Sequence, residues 1–194
     1  MRRTLSALVT GLVIATGGVA CSTSSGSSAP ASSAASHETN PPGDIPDSQV
    51  FVSWSPPGGG YTVKVPEGWA RQQHGHATVF TDKFNSVQVE KSSAATPPTV
   101  NSVRSVDLPA LQRASSHFTL GKVGTVQRSG GKAVLITYRT DSAADPVTGK
   151  HVRQQVERYV FWKNGSRVVL TLSGAVGADN VDPWHTVTDS FRWS

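Results

Sequence analysis

The sequence predicts an α+β domain over residues 49–194, an antiparallel sheet packed by helices on both faces. Three observations carry that expectation. Apolar residues alternate with polar ones more often than they recur at helical intervals, which is the two-residue period of strands. Asn164-Gly165 stands between two β-rich runs, and both residues tolerate the positive φ that a two-residue hairpin turn requires. Two short stretches, 105–116 and 181–191, carry apolar residues three and four apart instead, the spacing of an amphipathic helix.

Val50, Val52 and Trp54 alternate up to the breaker Ser55-Pro56-Pro57-Gly58-Gly59-Gly60, and Tyr61, Val63 and Val65 alternate up to Pro66. Residues 76–80 and 86–90 read as strands around a turn, and 94–98 as a loop. Residues 119–128 and 132–140 form a hairpin through Ser129-Gly130-Gly131. In the hairpin over 151–174, the Asn-Gly turn sets the register. Phe161 faces Val168, Tyr159 faces Leu170 and Glu157 faces Leu172 on one side. Trp162 faces Arg167 and Val160 faces Val169 on the other. Both sides are apolar, so both need cover. Residues 105–116 offer Val106, Leu108 and Leu111 behind a cap at Ser105 or Asp107, with Pro109 in the first turn. A terminal helix is expected to use Asp182 as N-cap and Pro183 as first residue, with Val181, Trp184, Val187 and Phe191 forming its stripe.

The N-terminus reads differently. Arg2 and Arg3 precede a short apolar run, small residues and then the single cysteine, Cys21, which is the order of an export signal. Gly18-Val19-Ala20-Cys21 resembles the lipobox of bacterial lipoproteins, although that pattern prefers Leu at the position of Gly18. The resemblance implies cleavage after Ala20 and diacylation of the Cys21 thiol. Two chains meet the requirement for stable anchoring, since each buried CH₂ contributes about 0.8 kcal/mol and one chain holds only marginally. Residues 1–20 are thus a lipoprotein signal peptide, and 21–48 the lipidated cysteine and a Ser/Ala/Pro-rich tether. Ile45 is the only large aliphatic in 22–48. A flexible chain of that length spans roughly 26–31 Å. The expected location is the outer face of the cell membrane.

The opening strand Gly60-Tyr61-Thr62-Val63-Lys64-Val65-Pro66-Glu67-Gly68-Trp69 resembles the start of PsbP-like domains, and Asp189-Ser190-Phe191-Arg192 resembles their end. With the lipobox, the tether and Asp107-Leu108-Pro109-Ala110-Leu111, the chain is similar to actinobacterial lipoproteins of the LpqN type. The resemblance implies the Mog1/PsbP fold and a non-enzymatic binding or accessory role, and it supplies no catalytic motif.

Composition narrows the chemistry. One cysteine excludes an internal disulfide framework and a multi-thiolate zinc site. The formal charge of +5 is concentrated after residue 48, because Glu38, Asp44 and Asp47 precede it along with only Arg2 and Arg3. Export removes nucleic acid as a partner and leaves an envelope protein, or a hydrophobic or anionic ligand. No cofactor or metal is expected. His74-Gly75-His76 is the nearest approach to a metal motif, and its two imidazoles share a side only on a strand. Glu157 alternates with Tyr159 and Phe161. It is either an acid or base with a raised pKa, or a residue at the sheet's end or paired with a neighbouring arginine. Trp69, Trp162 and Trp184 are candidates to line a ligand groove, or core residues. Two functions remain open: a membrane-anchored binding or accessory module, and an envelope hydrolase with an unrecognised Ser/His/acid site.

Overall fold

The computed structural model describes residues 43–194, so the export signal, Cys21 and the tether as far as residue 42 lie outside the described residues. The strands are β1 (Phe51–Trp54), β2 (Tyr61–Pro66), β3 (Ala70–His74), β4 (Ala77–Asp82) and β5 (Asn85–Ser93). After a helical run come β6 (Thr119–Arg128), β7 (Gly131–Asp141), β8 (Arg153–Lys163) and β9 (Ser166–Ala175). The chain closes with helix α3 (Val181–Ser190) and β10 (Arg192–Trp193). Seven strands form an antiparallel sheet in the order β3-β4-β5-β9-β8-β7-β6, and three form a smaller one in the order β1-β2-β10.

The β8–β9 hairpin sets the frame. Asn164 and Gly165 have φ of 47° and 80°, and Phe161 pairs with Val168, Tyr159 with Leu170, Glu157 with Leu172 and Trp162 with Arg167. This is the expected register. On one face, Val87, Val89, Leu135, Tyr159, Phe161, Leu170 and Leu172 pack with Tyr61, Val63 and Val65 of β2 and with Trp184, Val187 and Phe191. Phe161 and Phe191 stack with ring centroids 4.4 Å apart, and burying one such ring contributes about 1.5–3 kcal/mol. Much of the cover here is the small sheet, where the sequence reading foresees helices. Alternation gives β2 a buried face of its own, so it stacks as a second layer. On the other face, Val134, Ile136, Val156, Val160 and Val169 pack with Val103 and, at the margin, Val100 and Leu111.

The helical run begins earlier than expected. It comprises α1 (Val100–Ser102), a π-turn (Val103–Asp107) and α2 (Leu108–Ala114). Thr99, not Ser105 or Asp107, caps it through a reciprocal pair with Ser102. Pro109 has no N–H, and in a regular helix its ring would strike the Ser105 carbonyl. The wider π-turn just before it relieves that clash. The extra residue also rotates the face, so Val103 is fully buried and Val106 is 68% exposed. Arg167 of β9 pairs with Asp107 and ties the turn to the sheet.

Helix α3 likewise starts early. Asn180 occupies the N-cap position without a side-chain cap bond, which makes Pro183 the third helical residue rather than the first. Its carboxamide works elsewhere. Asn180 Oδ1 accepts the Ile45 N–H at 2.8 Å, and Asn180 Nδ2 and Asn85 Nδ2 both donate to the Gly43 carbonyl. Ile45 is 5% exposed and joins the core. Residues 43–45 therefore pack into the body, although composition places them in the tether, because an average over a polar segment hides a single apolar anchor. Gly174 permits this contact: a Cβ there would lie 2.7 Å from both asparagine side chains. Strand β3 is absent from the sequence reading because all five of its residues are exposed and nothing alternates.

Candidate ligand-binding cleft

Toward β6, a cavity of about 540 Å³ opens between β6–β8 and the first turn of α3. Its floor follows from strand parity. Leu135 pairs with Tyr159, Thr137 with Glu157 and Arg139 with Gln155, and these side chains share a face. The register of β6 slips between Leu120 and Val123, a bulge that bends an edge strand. A Cβ at Gly121 would meet Thr137 Oγ1 at 2.6 Å, and the Lys122 N–H donates to that oxygen at 2.8 Å. The close approach holds β6 over the floor as one wall. Asn180, Val181, Trp184 and His185 form the other. Leu120 and Val181, 36% and 67% exposed, give the walls apolar rims.

The polar groups are connected. The Tyr159 hydroxyl donates to Glu157 Oε2 at 2.6 Å and accepts from Arg128 Nη2 at 3.1 Å. The Arg128 guanidinium carbon also lies 5.2 Å from the Tyr159 ring centroid. Arg128 Nε donates to Thr188 Oγ1 and stands 3.6 Å from Asp189 Oδ1, while His185 Nδ1 lies 2.7 Å from Asp189 Oδ2. Burial pushes the Tyr159 phenol up to about 12, and the bond to Glu157 adds to the shift. Arg128 is thus engaged on several sides. Arg139 is exposed and makes no ion pair among the described residues.

The structure separates the three tryptophans. Trp184 is 6% exposed and lines the cleft. Trp69 is half-buried against the core of the same face, outside the cleft. Trp162 lies on the opposite face, one residue out of phase with Phe161, and its Nε1–H donates to the Ala94 carbonyl at 2.8 Å. No three-tryptophan groove forms. Glu157 does sit in the cleft, where it accepts from the Tyr159 hydroxyl and makes no ion pair among the described residues. Leu120, Arg128 and Arg139 are not singled out by the sequence, since each gains meaning only from the bend of β6. Val181, expected in the covering stripe of α3, is 67% exposed at the rim because it opens the helix at the cleft edge.

The other candidates disperse. His74 ends β3 and His76 lies in the following turn, where Gly75 has φ of 58°. His74 Nε2 lies 3.1 Å from Gln72 Oε1, and no cluster of three potential metal ligands exists among the described residues. At the far end of β7, Asp141 binds Arg153 and lies 2.6 Å from His117 Nδ1. The Arg153 hydrogen bond, followed by the contact with His117, holds this carboxyl below the usual carboxylate range. Among the described residues, no hydroxyl is bonded to Nε2 of either His117 or His185.

No protein-family model matches the chain, and no curated protein matches its sequence. Solved structures do resemble it. Cyanobacterial PsbP (CyanoP) from Synechocystis is 16% identical, with a TM-score of 0.52 over 78% of this chain and 98% of that one. The Ran-binding protein Mog1p from Saccharomyces cerevisiae is 12% identical, with a TM-score of 0.50 over 75% and 96%. LpqN of Mycobacterium tuberculosis, involved in cell envelope biogenesis, is 12% identical, with a TM-score of 0.44 over 76% and 92%. With its seven-stranded antiparallel sheet, its short second sheet and its closing helix, the chain has a PsbP/Mog1-like fold.

Proposed function

We propose that this chain is a lipid-anchored binding or accessory module on the outer face of the cell membrane, holding a ligand in the cleft between β6–β8 and α3. The observation that carries the reading is the cleft itself. Its volume of about 540 Å³ falls within the range of roughly 300–1,000 Å³ common to ligand sites. It also combines exposed apolar rims with an internal polar network. The export-signal pattern and Cys21 support a position of that cleft outside the membrane, with anchoring by acyl chains on the cysteine sulfur. Among the described residues no helix is long and apolar enough to cross a membrane.

Mass spectrometry of the full chain from its own membrane tests both halves. The N-terminus is expected at an acylated Cys21, and Cys21→Ala is expected to release the protein from the membrane. Under native conditions the wild type is expected to retain a noncovalent ligand mass that Val181→Asp loses. An unmodified, uncleaved N-terminus overturns the anchoring. A ligand mass that Val181→Asp leaves unchanged overturns the use of the cleft.

The hydrolase alternative keeps one supporting observation. The His185–Asp189 contact at 2.7 Å borders the cleft, and a carboxylate on Nδ1 orients an imidazole for base catalysis. Labelling by a serine-reactive probe that a single Ser→Ala change abolishes would favour it.

A further inference from the structure

On the reading that the cleft is a binding site, we infer that its ligand is a single-headed amphiphile with an anionic head, such as a carboxylate, set on Arg139 and an apolar tail between Leu120, Val181 and Trp184. The two cleft arginines are in different situations. Arg128 is satisfied within the protein by Tyr159, Thr188 and Asp189. Arg139 stands exposed on the floor beside Gln155 and has no ion pair among the described residues. A guanidinium presents several donors in a fixed fork that matches a carboxylate or phosphate, and charge-assisted bonds of this kind are the stronger class.

Glu157 is the opposing charge in the cleft. Its Oε2 is occupied by the Tyr159 hydroxyl, and it pairs across the sheet with Thr137, one step along the floor from the Arg139–Gln155 pair. The anionic head is therefore placed at Arg139 and away from Glu157. Beyond that point the surface turns apolar. Leu120 and Val181 lie exposed on facing walls and Trp184 stands behind them. Exposed apolar side chains rimming a concavity mark a binding surface.

The test uses the full chain in nanodiscs made only of zwitterionic lipid and a dansyl-labelled long-chain carboxylic acid, with its methyl ester as the uncharged twin. The acid is expected to bind with a blue-shifted emission. The ester, or the acid on Arg139→Glu, is expected to bind at least about tenfold more weakly. Arg139 is exposed, so the variant is expected to fold, and unchanged circular dichroism checks this. Equal binding of acid and ester, or binding of the acid unchanged by Arg139→Glu, overturns the anionic head while leaving the cleft reading intact. Failure of both probes to bind the folded wild type overturns the cleft reading and this inference with it.

Discussion

The side chains of Asn180 and Asn85 meet at 3.0 Å, and both donate to the same carbonyl, that of Gly43. Three distant parts of the chain are joined there: the segment that leads into the body, the start of β5 and the beginning of α3. Asn180 is 1% exposed and Asn85 4%, so none of these bonds can be exchanged for water. The start of α3 is also a wall of the cleft, so this network positions the cleft as well as closing the core.

Replacing Asn180 with Ala is expected to strand the Ile45 N–H and remove one of the two donors to Gly43. An orphaned buried polar group costs about 1–3 kcal/mol, so denaturant unfolding should show a loss of at least that size. A change no larger than that of an exposed control such as Gln112→Ala would contradict the assignment.

The π-turn predicts an inversion of what the sequence suggests for the helical run. Val103→Ala is expected to cost about 1–3 kcal/mol, because its site is fully buried against Val134 and Ile136. Val106→Ala should stay within about 0.5 kcal/mol. If Val106 proves the more costly of the two in chemical denaturation, the helix face is misassigned.

All three tyrosines resist ionisation. Burial lifts Tyr61 and Tyr159 to about 12 and raises Tyr138 above its ordinary value. A phenol whose folded pKa is raised gives stability that is present below its unfolded value of about 10 and is lost as pH climbs through the folded value. Tyrosinate absorbance of the native protein is therefore expected to rise only above the ordinary phenol range. Because the Glu157 hydrogen bond contributes to the shift, Glu157→Gln should lower the Tyr159 transition. A wild-type phenol titrating at its ordinary value would count against the burial described.

Asp141 works in the opposite direction. Its carboxyl is held low by Arg153 and His117, so its contribution is present above the unfolded carboxylate value of about 3.9 and fades as pH falls through the folded value. Asp141→Asn is expected to lower the melting temperature at neutral pH, with the gap to wild type closing in acid. A gap independent of pH would mean that the ion pairs contribute nothing.

What could be read in the sequence is local. The β8–β9 register was legible because a two-residue turn and a two-residue side-chain period leave no freedom once Asn164-Gly165 is placed. The same parity already puts Trp162 and Phe161 on opposite faces, and this is why Trp162 cannot join Trp184. Strand β3 was not legible, since an exposed strand carries no apolar rhythm. The π-turn was not legible either, because the Thr99 cap lies six residues before Ser105, where an ordinary reading starts the helix. Glu157 was found through its alternation with Tyr159. The cleft around it was not, because its walls arise from a bulge in β6 and the early start of α3, two departures from regular geometry.

Amide chemical shifts of the full chain in nanodiscs, recorded as the dansyl-labelled acid is added, test the central claim most directly. The account predicts progressive shifts confined to residues 119–121, 137–139, 155–159 and 180–185, with the helical run over 100–114 unmoved. Shifts centred on the opposite face, or no shifts at saturating probe, would contradict it.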